Sequence, residues 1–181
     1  MIEKIVLNEY CSINSILEEE ESNLVKIEGY ACHFDIVNKN GEVVHKNSFT
    51  DCLAEFQQEK RMPVMNFNHN SDMIIGGWDA FEIRNDGLFA KGHLNKDVAL
   101  VRDTVLPLIK SGDIKGLSTE GYTKWKDVEQ LENGVLRLNR FMLMGIALVA
   151  LPADPKTDIA LRNRLESSSL KRRGINIMYH L

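Results

Sequence analysis

The sequence predicts a mixed β-barrel flanked by α-helices, an α+β fold. Three observations carry that expectation. About seven short stretches alternate apolar and polar residues or run apolar between turn residues, only a few stretches show helical spacing, and 44% of the 181 residues are hydrophobic. That length and composition suit a single compact domain with room for a sizeable core.

Taken in order, LVKIEGYACHFDIV at 24–37 alternates as a strand does, and Asn38-Lys39-Asn40-Gly41 is a turn into Glu42-Val43-Val44, so a hairpin is expected there. Ser48 is placed to cap the run FTDCLAEFQQEK, in which Phe49, Cys52, Leu53 and Phe56 fall at helical spacing and Asp51 lies at the positive end of the dipole. Pro63 ends that helix. VMNFNHN, IIGGWDAFEIR and LFAKGHL then read as three strands, the last two joined at Asn85-Asp86-Gly87. A second helix is expected in DVALVRDTVLPLIKSGD, where Val98, Val101, Val105, Leu108 and Ile109 share a face, Pro107 bends or shortens it, and Gly112 stops it. IKGLSTEGYTKW reads as a strand, Glu132-Asn133-Gly134 as a turn, and VLRLNRFMLMGIALVAL as one long apolar strand or a pair, buried on both faces at its end. Leu151 to Pro155 is a turn, and TDIALRNRLESSS can start a third helix. The organisation expected is an N-terminal segment at 1–23, a main domain at 24–162 and a mobile tail at 163–181.

Charge and cysteine usage exclude several classes. A net charge of −4 supplies no basic field to concentrate on phosphates, so protein or peptide partners are expected rather than nucleic acid. No apolar run approaches the ~18 residues that span a bilayer, and the start lacks a signal-peptide pattern, so no membrane partner and a cytoplasmic location are expected. Cys11, Cys32 and Cys52 form no close C-x-x-C pair, and no histidine repeats at metal-ligand spacing, so no metal, cofactor or disulfide framework is expected. The acidic run Glu18 to Glu21 and the basic run Lys171 to Arg173 read as solvated surface.

Among residues capable of chemistry, Ser118 lies in Gly116-Leu117-Ser118-Thr119-Glu120-Gly121, where flanking glycines admit a close approach of backbone or substrate. His69 lies in Asn66-Phe67-Asn68-His69-Asn70, at the end of a strand ahead of a polar loop. A serine hydroxyl is a poor nucleophile at neutral pH, and an imidazole within reach can take its proton and return it to a leaving amine. The residues alone leave this pair as one possibility among several. His33 and His93 lie inside strand patterns, His45 after a strand and His180 in the tail.

A set of motifs in order narrows the reading. GYACHFD at 29–35, KNSF before a helix, Pro63-Val64, Asn68-His69, IIGG, Asp86-Gly87-Leu88, Ser111-Gly112-Asp113-Ile114, GLSTEG and ALVALPADPKTDIA follow one another over residues 24–162. The chain in this resembles the prohead proteases of tailed bacteriophages, relatives of the herpesvirus assemblins. The resemblance implies a helix-decorated, assemblin-like β-barrel and a serine endopeptidase that cuts scaffold and capsid proteins, and itself, inside the assembling procapsid of a bacterial host. It maps His69 onto the catalytic histidine and Ser118 onto the nucleophile. By analogy with the assemblins, backbone N–H groups near Ala153 and Asp154 would stabilise the oxyanion, with Pro152 holding that turn.

One departure stands out. Family members commonly carry an acidic residue ahead of an S-L-V-x-x-P-A stretch, and this chain reads Gly145-Ile146-Ala147-Leu148-Val149. Glu120 is a candidate substitute, since residues two apart on a strand share a face and this puts its carboxylate on the side of Ser118; the commoner reading of such a residue is an exposed strand carboxylate. Asp72 is a further candidate, and a Ser-His dyad without a third side chain is also allowed. Gly145 equally suits a catalytically idle assembly or scaffold protein that keeps the fold. An unrelated cytoplasmic serine hydrolase is the other alternative, against which stands the absence of a G-x-S-x-G elbow. Homo-oligomerisation stays open.

Overall fold

The computed structural model describes the backbone of residues 5–18 and both backbone and side chains of 22–38 and 40–150. Among the described residues, seven strands form the main sheet: β1 (Ile5–Glu18), β2 (Leu24–His33), β4 (Val64–Phe67), β5 (Asn70–Ile83), β6 (Gly87–Asn95), β7 (Gly116–Thr123) and β10 (Met142–Val149). Their hydrogen-bonded order is β1-β2-β6-β5-β4-β10-β7, and β1 also pairs with β7, so the order closes on itself. A small second sheet joins β3 (Glu42–Val44), β8 (Val128–Gln130) and β9 (Leu136–Leu138) in the order β3-β9-β8. With helices α1 (Thr50–Glu59) and α2 (Leu106–Ser111), the chain is a mixed α+β protein with few helices, as the sequence predicts.

Alternation along the strands sorts the side chains. Val25 and Ile27 on β2, Met65 on β4, Leu94 on β6, Leu117 on β7, and Ile146 and Leu148 on β10 are buried in one continuous core. Each such aliphatic side chain stabilises the fold by roughly 1.5–3 kcal/mol. Residues 145–149 are buried throughout, as the unbroken apolar run implies. The β5–β6 hairpin forms as expected, with Ile83 opposite Leu88 and the Arg84 N–H bonded to the Gly87 carbonyl.

Several local expectations need correction. The turn after Val37 does form, with the Asn38 N–H donating to the Glu42 carbonyl, but β3 then pairs in parallel with β9 rather than completing a hairpin with β2, whose two edges are taken by β1 and β6. Ser48 is not the N-cap of α1. It closes a capping box with His45 in a 3₁₀ turn, Lys46–Phe49, and its hydroxyl donates to the Leu138 carbonyl; Phe49 precedes α1 without a side-chain cap. Phe49 is held instead by packing, with Phe141 at 5.4 Å and Phe34 at 6.3 Å between ring centroids.

The second helical stretch is split. A π-helical turn, Val101–Val105, precedes α2, and the Leu106 N–H reaches back to the Val101 carbonyl. Pro107, which lacks an N–H and would clash with the carbonyl four residues before it, sits in the first turn of α2. Gly112 ends α2 at φ 83°, in the left-handed region glycine adopts without strain. The apolar stretch at 135–151 contains two strands, β9 and β10, in different sheets. β1 and β8 had no counterpart in the sequence reading. The third helix, the turn at 151–155, the tail at 163–181 and His180 lie outside the described residues, as does the side chain of Cys11. Cys32 and Cys52 are buried thiols.

Candidate active site

The site is built on three adjacent strands. β10 lies between β7, which runs antiparallel to it, and β4, which runs parallel. Two rows of paired residues cross these strands: Ser118, Ala147 and Asn66, then Glu120, Gly145 and Val64. Residues paired across a sheet project to the same side, so Ser118, Glu120 and Asn66 share one face. The core residues Leu117, Ile146, Leu148 and Met65 occupy the other.

His69 arrives from the β4–β5 hairpin. Phe67 pairs with Asn70, leaving Asn68 and His69 as a two-residue loop, and their φ angles of 51° and 60° are both positive, as a type I′ turn requires. The Asn68 N–H donates to the Leu148 carbonyl at 3.0 Å, which ties the turn to the end of β10. A non-glycine residue at positive φ is uncommon, although Asn and His are enriched among those that occur, and such strain concentrates at functional sites.

The imidazole meets Glu120. His69 Nδ1 lies 2.9 Å from Glu120 Oε1, and each side chain is 22% exposed. An ionised carboxylate can only accept, so Nδ1 carries the proton and Nε2 is the basic nitrogen of the neutral ring. Asn66 Nδ2 donates to the same Oε1, also at 2.9 Å. Burial raises the Glu120 pKa, but the hydrogen bonds from His69 and Asn66 and the attraction of the imidazolium outweigh it, and the carboxyl ends below its ordinary value. Ser118 is fully buried two residues along β7, and its Oγ has no hydrogen-bond partner among the described residues.

Of the residues singled out in the sequence, the structure thus brings His69 and Glu120 into contact and sets Ser118 on their face, without a hydrogen bond between Ser118 Oγ and His69. Asp72 is exposed on β5, its N–H held by Asn70 Oδ1. His93 pairs with exposed Asp79 at 2.8 Å, His45 accepts from the Asn47 N–H, and His33 stacks on Tyr30. Ala153 and Asp154 lie outside the described residues. Asn66 is the member the sequence reading missed; a buried strand asparagine shows no local pattern, and only its partner across β10 reveals it. Among the described residues no group of three or more His, Cys, Asp or Glu is placed to hold a metal, and no helix is long and apolar enough to cross a membrane.

A strand serine between glycines, with a carboxylate-bound histidine on its face, is an arrangement suited to serine-hydrolase chemistry. The family described as Caudovirus prohead serine protease matches residues 13–171. The chain belongs to that family of phage maturation proteases. Among solved structures, that of the bacteriophage T4 capsid assembly protease, gp21, is similar, with a TM-score of 0.68 and 16% sequence identity over 83% of this chain and 99% of that one. At that identity the likeness is one of fold. No curated protein matches.

Proposed function

We propose that the chain is a serine endopeptidase that cleaves scaffold and capsid-protein segments, and itself, within the assembling procapsid in the host cytoplasm, on a helix-flanked barrel of the herpesvirus-assemblin kind. Ser118 is the nucleophile, His69 the general base and Glu120 the carboxylate that orients it. The observation that carries this reading is the 2.9 Å contact from His69 Nδ1 to Glu120 Oε1, one strand position-pair from Ser118.

The chemistry follows from that contact. With its proton on Nδ1, the neutral ring presents Nε2 to receive the Ser118 proton as Oγ attacks the peptide carbonyl. Glu120 stabilises the imidazolium that forms, and the ring then protonates the departing amine. A water, deprotonated by the same nitrogen, releases the acyl group from Ser118. The Ser118–His69 hydrogen bond belongs to the substrate-bound state, since such bonds tighten when substrate arrives. Backbone N–H groups around Ala153 and Asp154 are proposed as oxyanion donors.

A fluorophosphonate, which phosphonylates an activated serine, tests this assignment. The wild-type chain should be labelled at Ser118, and Ser118→Ala and His69→Ala should not. Labelling at another residue would move the nucleophile away from Ser118, and none on folded wild type would favour an idle member of the family that serves assembly without cleaving.

A further inference from the structure

Glu120 must extend its carboxylate across β10 to reach the hairpin that carries His69, and two features bound it there. The first is Asn66, 1% exposed on β4. Only its NH₂ end can face a carboxylate, and it does so at the same Oε1 that His69 meets. Its amide oxygen is buried and has no hydrogen-bond partner among the described residues. Burying a half-satisfied amide weighs against folding, and a leucine of similar size would fill the space without that penalty. The asparagine is therefore accounted for by what its NH₂ group holds.

The second feature is Gly145, opposite Glu120 on one side and Val64 on the other. Its φ is unremarkable; what matters is the space. A Cβ there would stand 3.1 Å from Glu120 Oε2, 3.3 Å from the Val64 carbonyl oxygen and 3.4 Å from Glu120 Cδ. The Val64 carbonyl is fixed backbone, so the carboxylate, which Asn66 and His69 both hold at Oε1, would have to give way by a few tenths of an ångström.

We propose that Asn66 and the bare backbone at Gly145 form a socket that fixes the Glu120 carboxylate against His69, which makes Asn66 a positioning residue for the general base. This rests on the reading that Glu120 orients His69. Without the Asn66 donor, a carboxylate already 22% exposed can turn toward water. The imidazole then populates the tautomer with its proton on Nε2, which cannot accept the Ser118 proton. The depressed pKa of Glu120, to which the Asn66 hydrogen bond contributes, is consistent with this geometry.

The test uses a fluorophosphonate on the full chain, with the maximal labelling rate kinact and the half-saturating concentration KI measured separately. Asn66→Leu and Gly145→Ala should each lower kinact by about 10- to 100-fold, the size expected for misplacing a catalytic group by up to ~1 Å, with KI little changed. In a Glu120→Ala background, which leaves no side-chain oxygen for Asn66 to hold, neither should lower kinact further. The Nδ1–H resonance of His69, present in the wild type, should weaken in both single variants, a change that a purely structural role would not produce. If Asn66→Leu fails to fold, Asn66→Ala removes the donor without adding bulk and carries the same expectation. Folded single variants labelling at the wild-type rate while Glu120→Gln labels slowly would overturn the socket and leave the Glu120 assignment intact. So would losses that add to that of Glu120→Ala. Glu120→Gln labelling at the wild-type rate would remove the assignment and the socket together.

Discussion

The left-handed backbone at His69 can be separated from its imidazole by comparing two substitutions. His69→Ala and His69→Gly both delete the hydrogen bond to Glu120, so that loss cancels in their difference. What remains is the turn. At φ 60° a Cβ crowds the following carbonyl, a penalty of about 1–2 kcal/mol for an L residue. In ordinary extended or helical backbone, glycine is instead less favourable than alanine by roughly 0.5–1 kcal/mol, through the entropy it loses on folding. Set against each other, these leave His69→Gly more stable than His69→Ala by about 1 kcal/mol, the reverse of the usual order. Asparagine followed by glycine is also a favoured pair for a type I′ turn, and His69→Gly completes that pair with Asn68. For a domain of this size that difference corresponds to ~2–4 °C in Tm. Thermal melting of the two purified variants measures it, and fluorophosphonate labelling should show both reduced by at least ~10²-fold, as expected on removing a general base. Equal melting temperatures, or alanine the more stable, would refute the claim that His69 sits in a strained turn. A His69→Gly protein that still labels at the wild-type rate would refute its role as base.

Ser118→Ala should abolish cleavage and labelling while moving stability by no more than about 1 kcal/mol, because it removes one hydroxyl that has no partner among the described residues and leaves no large cavity; loss of folding in this variant would contradict the packing described. The carboxyls of Glu120 and Glu42 should respond oppositely to pH. Glu120 is held below its ordinary value of 4.5 in the folded chain, so its stabilising contribution is present above that pH and is lost as pH falls through the lower folded value. Glu120→Gln should therefore melt lower than wild type at pH 7, the gap closing in acid. Glu42 is raised, chiefly by burial and against the hydrogen bonds from Asn38 and Asn40, so it weighs against stability above its folded value and not below 4.5. Glu42→Gln should close its difference from wild type in acid from the other side, melting higher at pH 7; the same sign for both variants would show that one environment is misassigned. If the chain cuts itself, concentrated wild-type protein should lose C-terminal residues near Glu166 to Ser169 by intact mass spectrometry, and Ser118→Ala protein should not.

How far the sequence could be read depended on how local each signal was. The β5–β6 hairpin, the strand around Ser118 and the core-facing run of β10 were legible because alternation, turn residues and unbroken hydrophobicity act over a few neighbours. The family was legible because its motifs recur in a fixed order. Partner choice was not local: β3 leaves its hairpin turn for β9, far along the chain, and β1 closes the sheet through pairings that its own composition does not announce. The same division runs through the candidate site. The sequence by itself marked Ser118 and His69 and admitted Glu120, because period-two spacing puts residues 118 and 120 on one face. It could not choose between Glu120, Asp72 and a dyad, since that depends on which strand lies next to which. Only the tertiary structure, by setting β10 between β7 and β4, brings Glu120 to His69, places Asn66 on the same carboxylate oxygen, and turns the missing side chain of Gly145 into the space that carboxylate occupies.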